Sequence, residues 1–205
     1  MPISEVFNDD CMIGMARYPD KYFDLAIVDP PYGIGDKLVN GGTWAKTRIS
    51  EYSGWDKKPG FDYFLELFRV SKNQIIWGGN YFQIPPCRCF IIWDKPSMRM
   101  PTMADCEFAW TSFDSVAKIA SINQEKGIDR IHLCQKPIAL YKYLLKNYAE
   151  PGNKILDTHL GSGSHRIAAY DYGFDFTGFE LDKDYFEAQE LRFQRHKAQL
   201  TLFAK

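Results

Sequence analysis

The residues Asp29-Pro30-Pro31-Tyr32-Gly33 directly follow an apolar run, and two prolines there separate a carboxylate from an aromatic ring. Consecutive prolines donate nothing to a strand ladder and hold the backbone stiff and extended. The carboxylate of Asp29 and the ring of Tyr32 are thereby expected to project beyond the end of a strand. An exocyclic aryl amine is a poor nucleophile because its lone pair is delocalised into the ring. A carboxylate and a backbone carbonyl that accept its two hydrogens would localise that pair, and a stacked ring would hold the base in plane. Attack on an electrophilic carbon would then need alignment and electrostatics more than covalent help. The plainer alternative, that the prolines merely end a strand, leaves the flanking acid and aromatic unexplained.

A second group reads Asp157-Thr158-His159-Leu160-Gly161-Ser162-Gly163-Ser164. Glycines let a backbone pass close to a ligand, and a following helix N-terminus offers free N–H groups. Glycine turns of this kind are common. About twenty residues further on, however, an apolar segment ends in Glu180, where an acid grips ribose hydroxyls in nucleotide-binding α/β folds. Together the two features suit an adenosyl ligand.

The elements that must position these groups alternate between strand and helix, which predicts an α/β fold with a mostly parallel sheet. Strands are expected at 23–28, 74–77, 90–93, 107–110, 116–120, 154–156 and 176–179. Helices are expected at 61–72, 137–148 (with Pro137 near the start), 164–170 and 182–198. Residues 34–60 hold five glycines and two tryptophans without a period, and they read as a loop over the site. Trp77 and Trp93 fall in apparent strands and are expected in the core. His165 and His196 are expected at helix surfaces.

At 205 residues, one domain with a full hydrophobic core accounts for the chain. A net charge of −1 excludes a globally basic polyanion binder and leaves room only for a local patch. Cys11, Cys87, Cys89, Cys106 and Cys134 are odd in number and lack metal-ligand spacing, so free thiols in a reducing cytoplasm are expected. No apolar run approaches the ~20 residues of a membrane span.

The order of these motifs resembles that of the β-class DNA amino-methyltransferases. In that family Asp-Pro-Pro-Tyr comes first, a His-x-x-Gln-Lys-Pro element follows, and the glycine-rich motif comes last. Here the three are residues 29–32, His132 to Pro137, and 157–164, and the likeness extends from Asn8 to Glu180. The resemblance implies a Rossmann-like methyltransferase sheet with an antiparallel edge strand, S-adenosyl-L-methionine as cofactor and double-stranded DNA as substrate. It also implies transfer to the N6 amine of a flipped adenine. By it, Asp29, Pro30, Pro31 and Tyr32 hold the base, and Asp10 and Cys11 contact the cofactor's adenine. Glu180 contacts its ribose, and Lys136, Asp157, Gly161, Gly163 and Ser164 surround its methionine end. His132 is the one histidine with a role in the family's own motif. The family's usual Asp-Pro-Phe reads Asp157-Thr158-His159 here, so the imidazole of His159 is expected to supply the aromatic face.

Three alternatives stay open at this point: a cytosine-N4 methyltransferase, an RNA base methyltransferase, and a non-catalytic module that binds DNA or cofactor. The motif's opening Asp, where family members acting on cytosine more often carry Ser, favours adenine. A small recognition region is expected within 97–130. Trp44, Trp55, Lys46, Arg48, Lys57 and Lys58 form a basic, aromatic stretch that suits phosphate contacts as well as it suits a solvated loop. Residues 199–205 are expected as a tail beyond the domain of 1–198. Within it Gln199, Leu200, Leu202 and Phe203 resemble a peptide that docks on a sliding clamp, and a homodimer would strengthen such docking.

Overall fold

The computed structural model of the protein describes residues 2–34, 56–98, 104–124, 131 and 134–203. Eight strands form one sheet: β1 (Ser4–Phe7), β2 (Phe23–Val28), β3 (Ser71–Trp77), β4 (Phe90–Asp94), β5 (Cys106–Thr111), β6 (Lys118–Ser121), β7 (Lys154–Asp157) and β8 (Asp175–Phe179). Their spatial order is β1-β8-β7-β2-β3-β5-β4-β6. All pairings are parallel except those of β5, which runs antiparallel to both β3 and β4. The expected α/β class and mostly parallel sheet are present. The antiparallel strand, however, lies inside the sheet, and the edges are β1 and β6.

β2 shows why the sheet takes helices on both faces. Leu25 and Ile27 enter one apolar cluster, with Leu140 and Leu144. Ala26 and Val28 enter the other, with Tyr63, Phe64 and Leu67. Successive strand side chains point to opposite faces, so a strand apolar at nearly every position needs cover on both. Helix α1 (Cys11–Met15) and α2 (Phe61–Val70) contribute to one side, and α3 (Ile138–Tyr148) and α4 (Ser164–Tyr172) to the other. A last helix, α5 (Lys183–Phe203), packs on α4 and buries Phe193. Fully burying one Leu, Ile or Phe stabilises by about 1.5–3 kcal/mol, and Phe23, Leu67, Ile75 and Phe176 all do so.

Several boundaries differ from the sequence expectation for local reasons. α2 stops at Val70 because Ser71 turns extended and starts β3, its hydroxyl donating back to the Leu67 carbonyl at 2.5 Å. β1 and α1 were not expected at all. α1 has only five residues, and its signal is the cap, Asp10 Oδ1 accepting from Met12 N at 2.7 Å. β6 begins two residues later than expected. Two strands, β5 and β6, fall within the described part of the small recognition region placed at 97–130. The segment expected as a tail continues α5 as helix through Phe203. Trp77 and Trp93 are core residues as expected.

His165 is a correction. It is 1% exposed, sandwiched on Tyr141 at 4.7 Å and against the edge of Phe176, and its Nδ1 lies 3.0 Å from Asp157 Oδ2. Its neighbour in the expectation, His196, is half-buried against Asp171.

Candidate active site

Four strand ends meet at one rim of the sheet. Ala26 lies opposite Leu156, so the chain leaves β2 toward Asp29 beside the point where it leaves β7 at Asp157. Glu180 follows β8, and Asp10 follows β1. In open α/β sheets this carboxyl rim is where ligands bind.

On the β2 side, the Tyr32 hydroxyl donates to Asp29 Oδ1 at 2.6 Å. Lys136 Nζ donates to Asp29 Oδ2 at 2.5 Å and to the Tyr32 hydroxyl at 3.3 Å, and pairs with Glu107 Oε2 at 3.0 Å. Burial opposes charge on Lys136, but the carboxylates of Asp29 and Glu107 outweigh it and raise the ammonium above its ordinary value. Burial and the same two carboxylates push the Tyr32 phenol far up. Glu107, where burial works the other way, is held below the usual carboxylate range by Lys136 and Lys95. Asp29 thus sits in a paired, charged cluster whose lysine stays protonated.

The ring of Tyr32 is flat against its surroundings. Tyr81 stacks on it at 5.0 Å with planes 15° apart, and Phe82 meets it edge-on. Gly78, in the left-handed region at φ 67°, passes so close that a methyl carbon there would lie 2.2 Å from Tyr32 Cε1. Only a residue without Cβ allows both the turn and the ring. Gly33 N donates to Asp56 Oδ1 at 3.0 Å, so the described ends of the 34–60 segment close beside Tyr32. Lys58 donates to the Tyr81 carbonyl. Trp44, Trp55, Lys46 and Arg48 lie outside the described residues, as does His132.

On the β7–β8 side, Glu180 accepts from Gly161 N at 2.7 Å and from Asp182 N at 3.0 Å. Burial raises its proton affinity despite those two N–H groups. Gly161 and Gly163 both have positive φ, 51° and 71°, and the turn leads straight into α4. Asp157 and Ser164 lie beneath this turn, 2% and 1% exposed. Asp157 accepts from His159 N at 3.0 Å and faces His165, while Ser164 accepts from Arg192 at 2.9 Å. Their side chains therefore brace the turn from behind. Burial pushes the Cys11 thiol up to about 12, so it stays protonated beside Asp10.

Thr158 and His159, the two departures from the family's motif, form a chain with a residue from α2. Tyr63 OH lies 2.6 Å from Thr158 Oγ1, which lies 2.9 Å from His159 Nδ1. Burial lowers the proton affinity of His159 against the pull of Asp157, Asp29 and Asp10. The imidazole is held neutral, edge toward the Tyr63 ring at 5.5 Å.

The structure brings together Asp29, Tyr32 and Lys136, and separately gathers Asp10, Cys11, His159, Gly161 and Glu180 along the neighbouring strand ends. Lys136, expected around the methionine end, places its ammonium against the Asp29 and Glu107 carboxylates. Sequence reasoning missed Glu107, Lys95, Gly78, Tyr81 and Tyr63. The Gly78-Gly79 doublet after an apolar strand was the one visible signal; the others read as ordinary strand and helix residues. Among the described residues no group of three His, Cys, Asp or Glu could hold a metal ion, and no helix is long and apolar enough to cross a membrane.

The chain resembles known proteins in sequence and in fold. The sequence profile of the DNA methylase family matches residues 74–191, from β3 into α5. YubD of Escherichia coli (strain K12), named as a methylase, is 24% identical over 93% of this chain and 90% of its own length. The type II methyltransferase M.HinfI of Haemophilus influenzae is 24% identical over 95% of this chain and 69% of its own. Among solved structures, M1.HpyAVI in complex with SAM superposes with a TM-score of 0.62 at 17% identity, covering 92% of this chain and 98% of that one. The cytosine-N4-specific PvuII DNA methyltransferase superposes with a TM-score of 0.61 at 15% identity, over 94% and 87% of the two chains.

Proposed function

The chain belongs to the DNA methylase family, and from that premise we propose that it transfers a methyl group from S-adenosyl-L-methionine to the N6 amine of a flipped adenine in DNA. The observation that carries the reading is the placement of the Asp29–Tyr32–Lys136 cluster on the strand end next to the Glu180 and glycine-turn side.

The residues fit an adenosyl cofactor. A carboxylate with raised proton affinity stands against a glycine turn of left-handed backbone, with His159 as an aromatic wall nearby. Glu180 would accept from the ribose hydroxyls, Asp10 and Cys11 would meet the adenine, and Gly161 and Gly163 would admit the methionine end. The cofactor supplies an electrophilic methyl on a sulfonium. The protein's part is orientation. Asp29, held in place by Lys136, accepts a hydrogen bond from the target amine and localises its lone pair. Tyr32 offers a fixed ring for the base to stack on once Tyr81 has yielded that face. A base inside a duplex reaches neither, so it must leave the helix.

Incubation of the protein with labelled methyl donor and duplex DNA, followed by digestion to nucleosides, tests the reading directly. Label in N6-methyl-2′-deoxyadenosine is expected. Label in N4-methyl-2′-deoxycytidine moves the chain to the cytosine branch, and absence of label from DNA overturns the reading.

A further inference from the structure

We propose that Glu107, held in place by Lys95, is a positioning residue that shares the Lys136 ammonium with Asp29 and so leaves the Asp29 carboxylate free to receive the substrate amine. The inference rests on the proposed methyl transfer to an amine held by Asp29. Four side chains of alternating sign form an unbroken row. Lys95 Nζ lies 2.5 Å from Glu107 Oε1, Glu107 Oε2 lies 3.0 Å from Lys136 Nζ, and Lys136 Nζ lies 2.5 Å from Asp29 Oδ2. The antiparallel course of β5 makes this possible. A parallel strand would carry its first residues to the far rim, whereas β5 brings Glu107, its second residue, to the rim where β2, β3 and β4 end.

Lys136 has three N–H donors and three acceptors around it: Asp29, Glu107 and, at 3.3 Å, the Tyr32 hydroxyl. Its side chain is 3% exposed, and the Trp77 ring lies 5.1 Å from its Nζ, so water has little part in solvating it. Remove the Glu107 charge, and the ammonium has Asp29 as its one remaining carboxylate partner in the row. Asp29 already receives the Tyr32 hydroxyl on Oδ1. A lysine concentrated on its other oxygen then competes with the incoming amine for the same lone pairs. Lys95 limits the opposite error. It draws on the far oxygen of Glu107 and prevents that carboxylate from pulling Lys136 away from Asp29; the Trp93 ring, 4.7 Å from Lys95 Nζ, helps to fix it. The row has no net charge, which suits a site where one positive charge passes from donor to acceptor.

The test compares wild type with Glu107→Gln, Glu107→Asp and Lys95→Met as full chains. Each is assayed for labelled methyl transfer to DNA, calorimetric affinity for S-adenosylmethionine, and thermal melting. Glu107→Gln is expected to lower kcat by about tenfold or more while cofactor affinity stays within about twofold, because the lost contact acts on the amine and not on the donor. Glu107→Asp, which keeps the charge on a shorter arm, is expected to recover part of the rate, and Lys95→Met to fall in the same direction as Glu107→Gln. A residue that only stabilised the fold would lower melting and leave kcat per folded molecule unchanged. A folded Glu107→Gln variant with wild-type kcat overturns the proposal. A wild type that labels no DNA overturns the proposed function instead, and the positioning role is then read from the 15N ammonium resonance of Lys136. That signal must shift in Glu107→Gln or Glu107→Asp; an unchanged signal in both sinks the inference whatever the activity.

Discussion

Replacing Gly78 by alanine tests how tightly the fold holds the ring of Tyr32. The added carbon would lie 2.2 Å from Cε1, 2.5 Å from Cδ1 and 2.6 Å from Cζ, whereas ordinary contact begins at 3.4 Å. The ring has to retreat by about 1.2 Å or the turn has to open, and a misplacement near 1 Å at a reacting centre costs on the order of 10²-fold in rate. Yielding is constrained, because Tyr81 stacks on the ring and Asp29 accepts its hydroxyl proton. The left-handed backbone adds ~1–2 kcal/mol of strain for an L residue. That strain lowers the melting temperature by about 2–8 °C in a chain of this size. The expected result is a folded protein, a loss of kcat near a hundredfold, and cofactor affinity unchanged, since Gly78 lies on the far side of Asp29 from Glu180. Methyl-transfer kinetics, calorimetry and melting on one preparation suffice. A folded Gly78→Ala variant with kcat within about threefold of wild type would refute the argument that Tyr32 must stay where this turn puts it.

Asp29→Ala is expected to lower methyl transfer by at least ~2.7 kcal/mol, about a hundredfold, with cofactor binding intact, as read by labelled transfer and calorimetry. Glu180→Ala should weaken cofactor binding by ~1.5–3 kcal/mol, the worth of a hydrogen bond to a charged acceptor. In the wild type the ionised form is the acceptor and burial has raised its proton affinity. Calorimetry across pH should therefore show affinity falling, as pH drops, at a higher pH than an ordinary carboxylate would give. His159→Phe should retain cofactor affinity and His159→Ala should lose it; the reverse ranking removes the ring-face role.

The parts legible in the sequence were those with strong local chemistry. Asp29 to Tyr32, Gly161, Gly163 and Glu180 carry their backbone requirements on the chain itself, and all stand at strand ends in the structure. β2 was legible because a strand buried on both faces reads as a continuous apolar run. What stayed hidden depends on pairing between distant residues. Nothing near Glu107 tells that it faces Lys136, 29 positions away, because that contact needs β5 to insert between β3 and β4 in reverse direction. His165 read as a surface helix residue because its partner Asp157 lies across a turn and its stacking partner Tyr141 on another helix. β1 and α1 are too short to show a period, and only the Asp10 cap marked them.

The same dependence on distant partners bears on the departure at Thr158 and His159, which left a non-catalytic module open as an alternative. A phenylalanine at position 159 would need only apolar neighbours to fix its ring. An imidazole in its place carries two polar nitrogens into a half-buried setting and is steadied by a partner for them. Thr158 provides one at 2.9 Å, and Thr158 is itself anchored by the Tyr63 hydroxyl at 2.6 Å. In either proton order along that chain the two hydroxyls fix which ring nitrogen carries hydrogen, and burial keeps the ring neutral. Against a cationic cofactor, a neutral ring would avoid the repulsion that an imidazolium would bring. Decay of a cofactor site would leave such residues without support. Here the unusual pair is braced by Tyr63 from α2, and Asp29 next to it is held by Tyr32 and Lys136. Both features favour a working methyltransferase with its own way of holding an aromatic wall over a retired one.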